Sequence, residues 1–292
     1  MDGILILDKP EGFTSFDCVA KLRGIYHIKK IGHGGTLDPM ATGVLPVFIG
    51  NATKAISYAD DTSKEYVAGI RFGIKTDTGD RTGTVTEKSE IMPAEAQLRE
   101  TLVRFTGRIT QIPPMYSAIK VGGKKLYDLA RAGKTVERAP REIEIFGLEL
   151  MEYDPEEMYA RIRVACSSGT YIRTLAEDMA ESLGTVASLC SLRRTMCMGF
   201  RENEAVTFGE LEGSEAPGSY LRDMTDVFSS AGQLDLDEKN AFRFVHGGEV
   251  VTDIESGSTI KVFCHGTLLG IARSESGKLK KLIHISEGDL VR

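Results

Sequence analysis

Residues 32–43 read GHGGTLDPMATG, and no other stretch restricts the fold so sharply. Four glycines, a proline and two threonines in twelve residues forbid a regular helix or strand. The stretch nevertheless lies between a helical pattern and the apolar run VLPVFI at 44–49, so it reads as an ordered connecting loop. The helical pattern has Thr14 or Ser15 as its N-cap, Asp17 in its first turn, and Phe16, Val19, Ala20, Leu22 and Ile25 as an apolar stripe. Within the loop stands Asp38, the only acidic residue between Asp17 and Asp60. An Asp before a proline ordinarily caps a turn through its own carboxylate. Here Gly34, Gly35 and Gly43 allow the backbone to approach a ligand closely, and His33 and Thr36 add polar groups, which makes Asp38 a candidate for chemistry.

Around this loop, strands and helices mix without a regular βαβ alternation, so the fold class is α+β. GILIL at 3–7 reads as a buried strand closed by Asp8, Pro10 and Gly12. Asn51 and Thr53 can cap a short helix to Ala59, and EYVAGIRF at 65–72 alternates as a half-buried strand does. TDTGDRTG at 76–83 reads as a turn, 94–105 as a helix, and 142–151, 158–166 and 189–196 as strands. Residues 167–184 read as a helix entered through Ser168, Gly169 and Thr170, with Tyr171 and Arg173 in its first turn and Gly184 at its end. Past residue 230 the chain becomes glycine-rich with short alternating runs (TIKVFCH, LLGIAR, KLIHI). That pattern predicts a small separate β module at 231–292 beside a domain at 1–230.

A net charge of -6 is, on its face, unsuited to a polyanionic partner. The charges are sorted along the chain, however: residues 104–141 hold nine Lys/Arg against two Asp/Glu, and residues 200–238 hold two against ten. The basic stretch carries one short helix near 126–132 between glycine-bearing loops, the composition of a projecting, mobile element. A solvated surface is the ordinary reading of such a run. Five cysteines with no CxxC and no zinc spacing fit reduced thiols in a cytosol and predict no metal. The N-terminal apolar run is too short, and too closely flanked by Asp, for a signal peptide or a membrane span, so a soluble cytoplasmic protein is expected. No phosphate-loop, dinucleotide, HExxH or GxSxG signature occurs, which points to redox-neutral chemistry by side chains without a cofactor.

GHGGTLDPMATGVLP closely resembles the catalytic motif of the TruB family of pseudouridine synthases. GILILDKPEGFTS resembles that family's N-terminal KP motif, SKEYVAGIRFGIKTDTGD its tyrosine motif and IPPMYSAIKVGGKKLYDLARAG its insertion loop. CSSGTYIRTLAEDMAESLG resembles its arginine motif and ASLCSLRRT its leucine-bearing motif. The matches run in family order over about residues 3–200. The resemblance implies the pseudouridine synthase fold, a mixed, largely antiparallel sheet flanked by helices, followed by a PUA-like RNA-binding module. It further implies isomerisation of uridine to pseudouridine at position 55 in the TΨC loop of tRNA. The T-arm stem-loop is then the partner, with neither cofactor nor obligate protein partner.

By the same resemblance Asp38 is the essential carboxylate in breaking N1–C1′ and rejoining the base as C5–C1′. Attack at C1′, attack at C6 and proton removal from C2′ are all open to a carboxylate. Arg173 would pair with Asp38, fix its orientation and lower its pKa against desolvation. Tyr66 would stack on the displaced uracil and take the C5 proton, and Leu192 would wall the pocket. His33 and Tyr171 would contact substrate, while Lys9, Pro10 and Gly35 support the loop. The basic insertion, with Lys124 and Lys125, would grip phosphates and so offset the few kcal/mol that base flipping costs. A non-catalytic RNA-binding or RNA-folding protein and a guide-dependent rRNA pseudouridine synthase are the alternatives on the same motifs.

Overall fold

The computed structural model describes residues 1–117 and 119–285, without the side chains of Lys120, Val121, Lys124, Lys125 and Arg131. β1 (Gly3–Lys9) is buried almost without interruption because both its faces are covered. Leu5 and Leu7 enter one core, and Ile4 and Ile6 enter another. α1 (Ser15–Tyr26) starts with a reciprocal cap: the Asp17 N–H donates to Thr14 Oγ1 at 3.0 Å and the Thr14 N–H to the Asp17 carboxylate at 2.9 Å. β2 (Ile31–His33) and β3 (Thr42–Ile49) then bracket the glycine-rich loop.

The helix expected from Asn51 is instead a 3-10 segment, Gly50–Ser57, without a side-chain cap from its N-cap residue. Asp2 accepts from the Asn51 N–H at 2.8 Å, so the start of this segment is held by a residue far away in sequence. β4 (Lys64–Phe72) follows, then the hairpin of β5 (Ile74–Thr76) and β6 (Val85–Lys88), α2 (Glu95–Arg104) and β7 (Gly107–Gln111). The basic stretch contains β8 (Lys120–Val121) and β9 (Lys124–Lys125), paired as a hairpin, and α3 (Leu126–Arg131). β10 (Arg141–Asp154), β11 (Tyr159–Cys166), α4 (Ile172–Ser182), β12 (Ala187–Cys197) and β13 (Phe200–Arg201) complete the main body, and α5 (Phe208–Glu212) follows it.

The main sheet runs β1-β3-β12-β4-β11-β10-β7, with β2 paired to β3 and β13 to β12. Every pairing along that order is antiparallel except β3 with β12, which are parallel through Arg193–Thr42 and Arg194–Gly43. That junction places the end of the glycine-rich loop against the middle of the sheet. α4 packs on β12 and β4, and its buried face (Ile172, Leu175, Ala176, Met179) shares a core with Leu37, Met40 and Ala41 of the loop. This is the mixed, largely antiparallel α+β architecture.

Beyond residue 230, β14 (Gly232–Asp235), β15 (Thr259–Cys264), β16 (Thr267–Glu275) and β17 (Lys278–His284) form a second sheet in that order. α6 (Glu238–Val245) covers it, capped by Asp237, which accepts from the Asn240 N–H at 2.7 Å. The module is β-rich, as expected; the sequence reading did not include α6, which at eight residues is too short to assert a 3.6-residue period against its glycine-rich surroundings. The module also does not stand separate. Ile271 and Ile283 join Ile4, Phe48, Val227 and Phe228 in one core beneath the main sheet. Among the described residues no helix is long and apolar enough to cross a membrane.

Candidate active site

Asp38 and Arg173 meet although 135 residues apart in sequence. Arg173 Nε lies 2.9 Å from Asp38 Oδ2, and Nη2 donates to Oδ1 at 3.2 Å, a two-point grip that fixes the plane of the carboxylate. Two further donors of the guanidinium go to backbone: Nη1 to the Thr78 carbonyl at 2.7 Å and Nη2 also to the Tyr116 carbonyl at 2.9 Å. One arginine therefore ties together the Asp38 loop, the 76–83 turn and the start of the basic stretch. Its side chain is 6% exposed, whereas that of Asp38 is 32% exposed, so the carboxylate is the member of the pair that reaches solvent.

Burial raises the Asp38 pKa above its ordinary value, and the Arg173 charge opposes that rise without reversing it. Arg173 acts in the direction expected, lowering the pKa against desolvation, but burial outweighs it. The net rise comes from depth of burial and from the charge of a second acid, Asp80. Asp80 is buried in the 76–83 turn, where its Oδ1 accepts from Thr78 Oγ1, the Thr82 N–H and Thr82 Oγ1 at 3.0, 2.9 and 2.6 Å. Sequence reading took that turn as a plain connection and missed its acid.

Two further buried cations hold the loop. Lys9 is fully buried and its ammonium donates to the carbonyls of Phe13, Pro10 and Pro39 at 2.6, 2.9 and 3.3 Å, fixing the peptide next to Asp38. Arg194 is also fully buried, with Nε on the Val44 carbonyl at 2.7 Å and Nη2 on the Gly35 carbonyl at 3.2 Å. Ser15, at the start of α1, adds a third tie, its Oγ accepting from the Leu37 N–H at 2.9 Å. Arg194 was not among the sequence candidates. Its signal was the strand period: Leu192 and Arg194 lie two apart on β12 and share a face, while Arg193 between them reaches Asp8 and Glu202.

The loop glycines serve this packing more than ligand access. Gly43 has φ +98°, and a side chain there would collide with the Arg194 carbonyl where β3 and β12 run parallel. A Cβ at Gly35 would lie 3.4 Å from Lys64 Cε and 3.5 Å from Arg194 Nη1.

Tyr66 and Leu192 lie in the same core cluster as the loop residues Leu37, Met40 and Ala41. Burial pushes the Tyr66 phenol up to about 12, against the Arg194 charge beside it, so the group is a neutral phenol at neutral pH. His33 ends β2, its Nδ1 accepting from the Gly35 N–H at 3.4 Å, and burial lowers its pKa. Tyr171 is the N-cap residue of α4 and not part of its first turn. Its backbone is clamped by the buried Gln111, which accepts from its N–H at 3.0 Å and donates to its carbonyl at 3.1 Å, a role invisible in the sequence. Pro10 contributes its carbonyl to Lys9. Lys124 and Lys125 form the second strand of the β8–β9 hairpin, and their side chains lie outside the described residues.

Residues 23–172 match the TruB family pseudouridylate synthase N-terminal domain, and residues 173–226 the tRNA pseudouridylate synthase B C-terminal domain. The chain belongs to the TruB family. Among its relatives in that family, the tRNA pseudouridine synthase B of Dehalococcoides mccartyi (strain CBDB1) is 44% identical over 268 residues, covering 90% of this chain and 89% of its own. The enzyme of the same name from Oceanobacillus iheyensis is 41% identical over 293 residues, covering 100% and 91%. A solved Cbf5-Nop10-Gar1 complex aligns with 97% of this TruB-family chain and 84% of its own at a TM-score of 0.71, with 23% identity. A solved H/ACA RNP bound to a substrate RNA containing 2′-deoxyuridine gives the same score over 98% and 86% at 21% identity. At those identities the likeness is one of fold alone.

Proposed function

We propose that this TruB-family protein isomerises uridine to pseudouridine in tRNA, at position 55 of the TΨC loop, with Asp38 as its catalytic carboxylate. The observation that carries the reading is the Asp38–Arg173 pair, whose carboxylate reaches solvent while its guanidinium is buried and anchored on backbone carbonyls. The reaction breaks N1–C1′, turns the uracil and forms C5–C1′, with the C5 proton passing to solvent and a proton from solvent ending on N1, so atoms balance without an external redox partner. A carboxylate held in one plane can act repeatedly on a single atom of the flipped nucleotide without reorganising.

In this reading Tyr66 serves as a flat apolar face beneath the uracil. Its neutral phenol is a poor base, so the C5 proton leaves by another acceptor or only with Arg194 stabilising the phenolate. Leu192 excludes water beside it, and His33 and Tyr171 meet the RNA at the rim. Lys9, Pro10 and Gly35 maintain the loop. The basic stretch at 104–141, with Lys124 and Lys125, holds T-arm phosphates, which offsets the cost of flipping. We read 1–230 as the catalytic body and 231–292 as a PUA-like module that adds RNA contacts, the whole working in the cytoplasm without a protein partner.

The test is to incubate the purified chain alone, in EDTA, with a T-arm stem-loop. Digestion and nucleoside analysis should find pseudouridine at the target position. Uridine unchanged at that position would overturn the proposal, and a product formed only with added guide RNA would favour the guide-dependent alternative.

A further inference from the structure

Lys64 opens β4 two residues before Tyr66, so the two side chains lie on the same face of the central strand. The strand end is enclosed on both sides, with Lys64 in register with Cys166 of β11 and Cys197 of β12. The side chain is half-buried and lies against Gly35 of the Asp38 loop, where a Cβ would be 3.4 Å from its Cε. Among the described residues its ammonium makes no hydrogen bond and no ion pair. Besides the thiols of Cys197 and Cys166, the carboxylate of Asp61 favours its charged form, and Asp61 is itself held by the Ser63 N–H, which donates to Asp61 Oδ1 at 2.7 Å. Burial lowers the Lys64 pKa, and Arg194, which also lies against Gly35, adds positive charge. The exposed hydroxyls of Thr62 and Ser168, 3.5 Å apart, form a polar rim next to this spot.

A half-buried ammonium without a counter-ion costs free energy, and the cost is relieved when an anion arrives. Flipping a nucleotide carries its flanking phosphates to the mouth of the pocket. We infer that Lys64 is a binding residue for a phosphodiester flanking the flipped uridine, so that the RNA backbone supplies the missing counter-ion beside Gly35. The inference rests on the RNA-uridine reading above. It gives the catalytic loop a second task besides carrying Asp38: the backbone at Gly35 packs against the Lys64 side chain.

The experiment is a binding cycle with the full-length protein. T-arm stem-loops carry a single methylphosphonate either 5′ or 3′ of the target uridine, each compared with a phosphodiester control bearing the same 2′-deoxy protection. One of the two neutral linkages should weaken wild-type binding about tenfold or more, as expected for one charged hydrogen bond. Lys64→Met should weaken binding of the control RNA by a similar factor and show no further loss on that modified RNA, while Lys64→Arg keeps wild-type behaviour. The slope of log affinity against log salt should fall by about 0.7 to 0.9 in Lys64→Met, the share of one phosphate. Losses that multiply at both linkages, or wild-type affinity in Lys64→Met, would overturn the inference. If Lys64→Met fails to fold, Lys64→Gln completes the cycle, and two methylphosphonates without effect on the wild type refute the inference on their own. Wild-type tritium release from C5-labelled RNA separates these outcomes from a failure of the isomerase reading itself.

Discussion

Two glycine-rich segments of this protein look alike in composition and differ in what holds them. The Asp38 loop is pinned from beneath by buried cations, Lys9 and Arg194 donating to its own carbonyls and Arg173 gripping Asp38 itself. The β8–β9 hairpin turns through Gly122 and Gly123, both at positive φ, and a side chain at either would meet nothing within 4 Å. In the first case glycine is demanded by crowding, in the second by turn geometry alone. The contrast matches the tasks assigned to them. A carboxylate that must meet one atom of a flipped nucleotide needs a rigid seat, whereas a segment that follows a phosphate backbone needs charge and reach.

The sharpest way to break the comparison is to add one methyl group to each segment. Gly43→Ala should cost about 4 kcal/mol in chemical denaturation, from collision with the Arg194 backbone plus positive-φ strain. Gly122→Ala should cost about 1 kcal/mol, since only strain remains. Equal losses would mean that the two segments are held in the same way. Next in size, Arg194→Met leaves the Val44 and Gly35 carbonyls without their donor and should cost about 3 kcal/mol, with turnover falling beyond what lost stability explains. Wild-type turnover in a folded Arg194→Met protein would remove the clamp from the account.

The pH profile sharpens the same point. With its pKa raised in the folded state, Asp38 should lose its charge at a higher pH than an ordinary carboxylate, so turnover should fall on acidification earlier than 3.8 predicts. Stability runs the other way for this group: the folded chain holds the proton more tightly, so Asp38 favours folding at low pH, and that contribution is lost as pH rises through its folded pKa. An acid limb at the ordinary carboxylate value would place Asp38 in a wetter site than the structure gives it. The smallest effect belongs to the hairpin. Reversing the charge of Lys124 and Lys125 should leave unfolding unchanged and lower the salt slope of RNA binding by about one to two. An unchanged slope would assign both lysines to the solvated surface.

Much of the frame was legible because it is written in local signals. The Thr14–Asp17 cap, the alternation of 65–72 and the glycines and proline of 32–43 each specify their own backbone, and α1, β4 and the loop stand where those signals put them. Asp38 was a candidate from its loop alone, whereas its pairing with Arg173 was legible only through the motifs in which the two sit. What escaped is non-local. Arg194 is buried because its guanidinium finds carbonyls some 150 residues away in sequence, and Gln111 because it clamps the Tyr171 backbone. Asp80 looks like any turn acid until the fold sets it near Asp38. The C-terminal module read as detached because Ile271 and Ile283 have no pattern of their own that announces partners such as Phe48 and Phe228.

The claim at the centre of this account is that the Asp38 carboxylate, seated on Arg173, performs the isomerisation. It is tested most directly by tritium release from T-arm RNA labelled at uracil C5, comparing wild type with Asp38→Asn while RNA affinity is followed in parallel. The account predicts that Asp38→Asn binds the RNA with nearly wild-type affinity and releases tritium at least about 10⁴-fold more slowly. Release by Asp38→Asn at the wild-type rate, or none by the wild type from any uridine-containing T-arm, would contradict it.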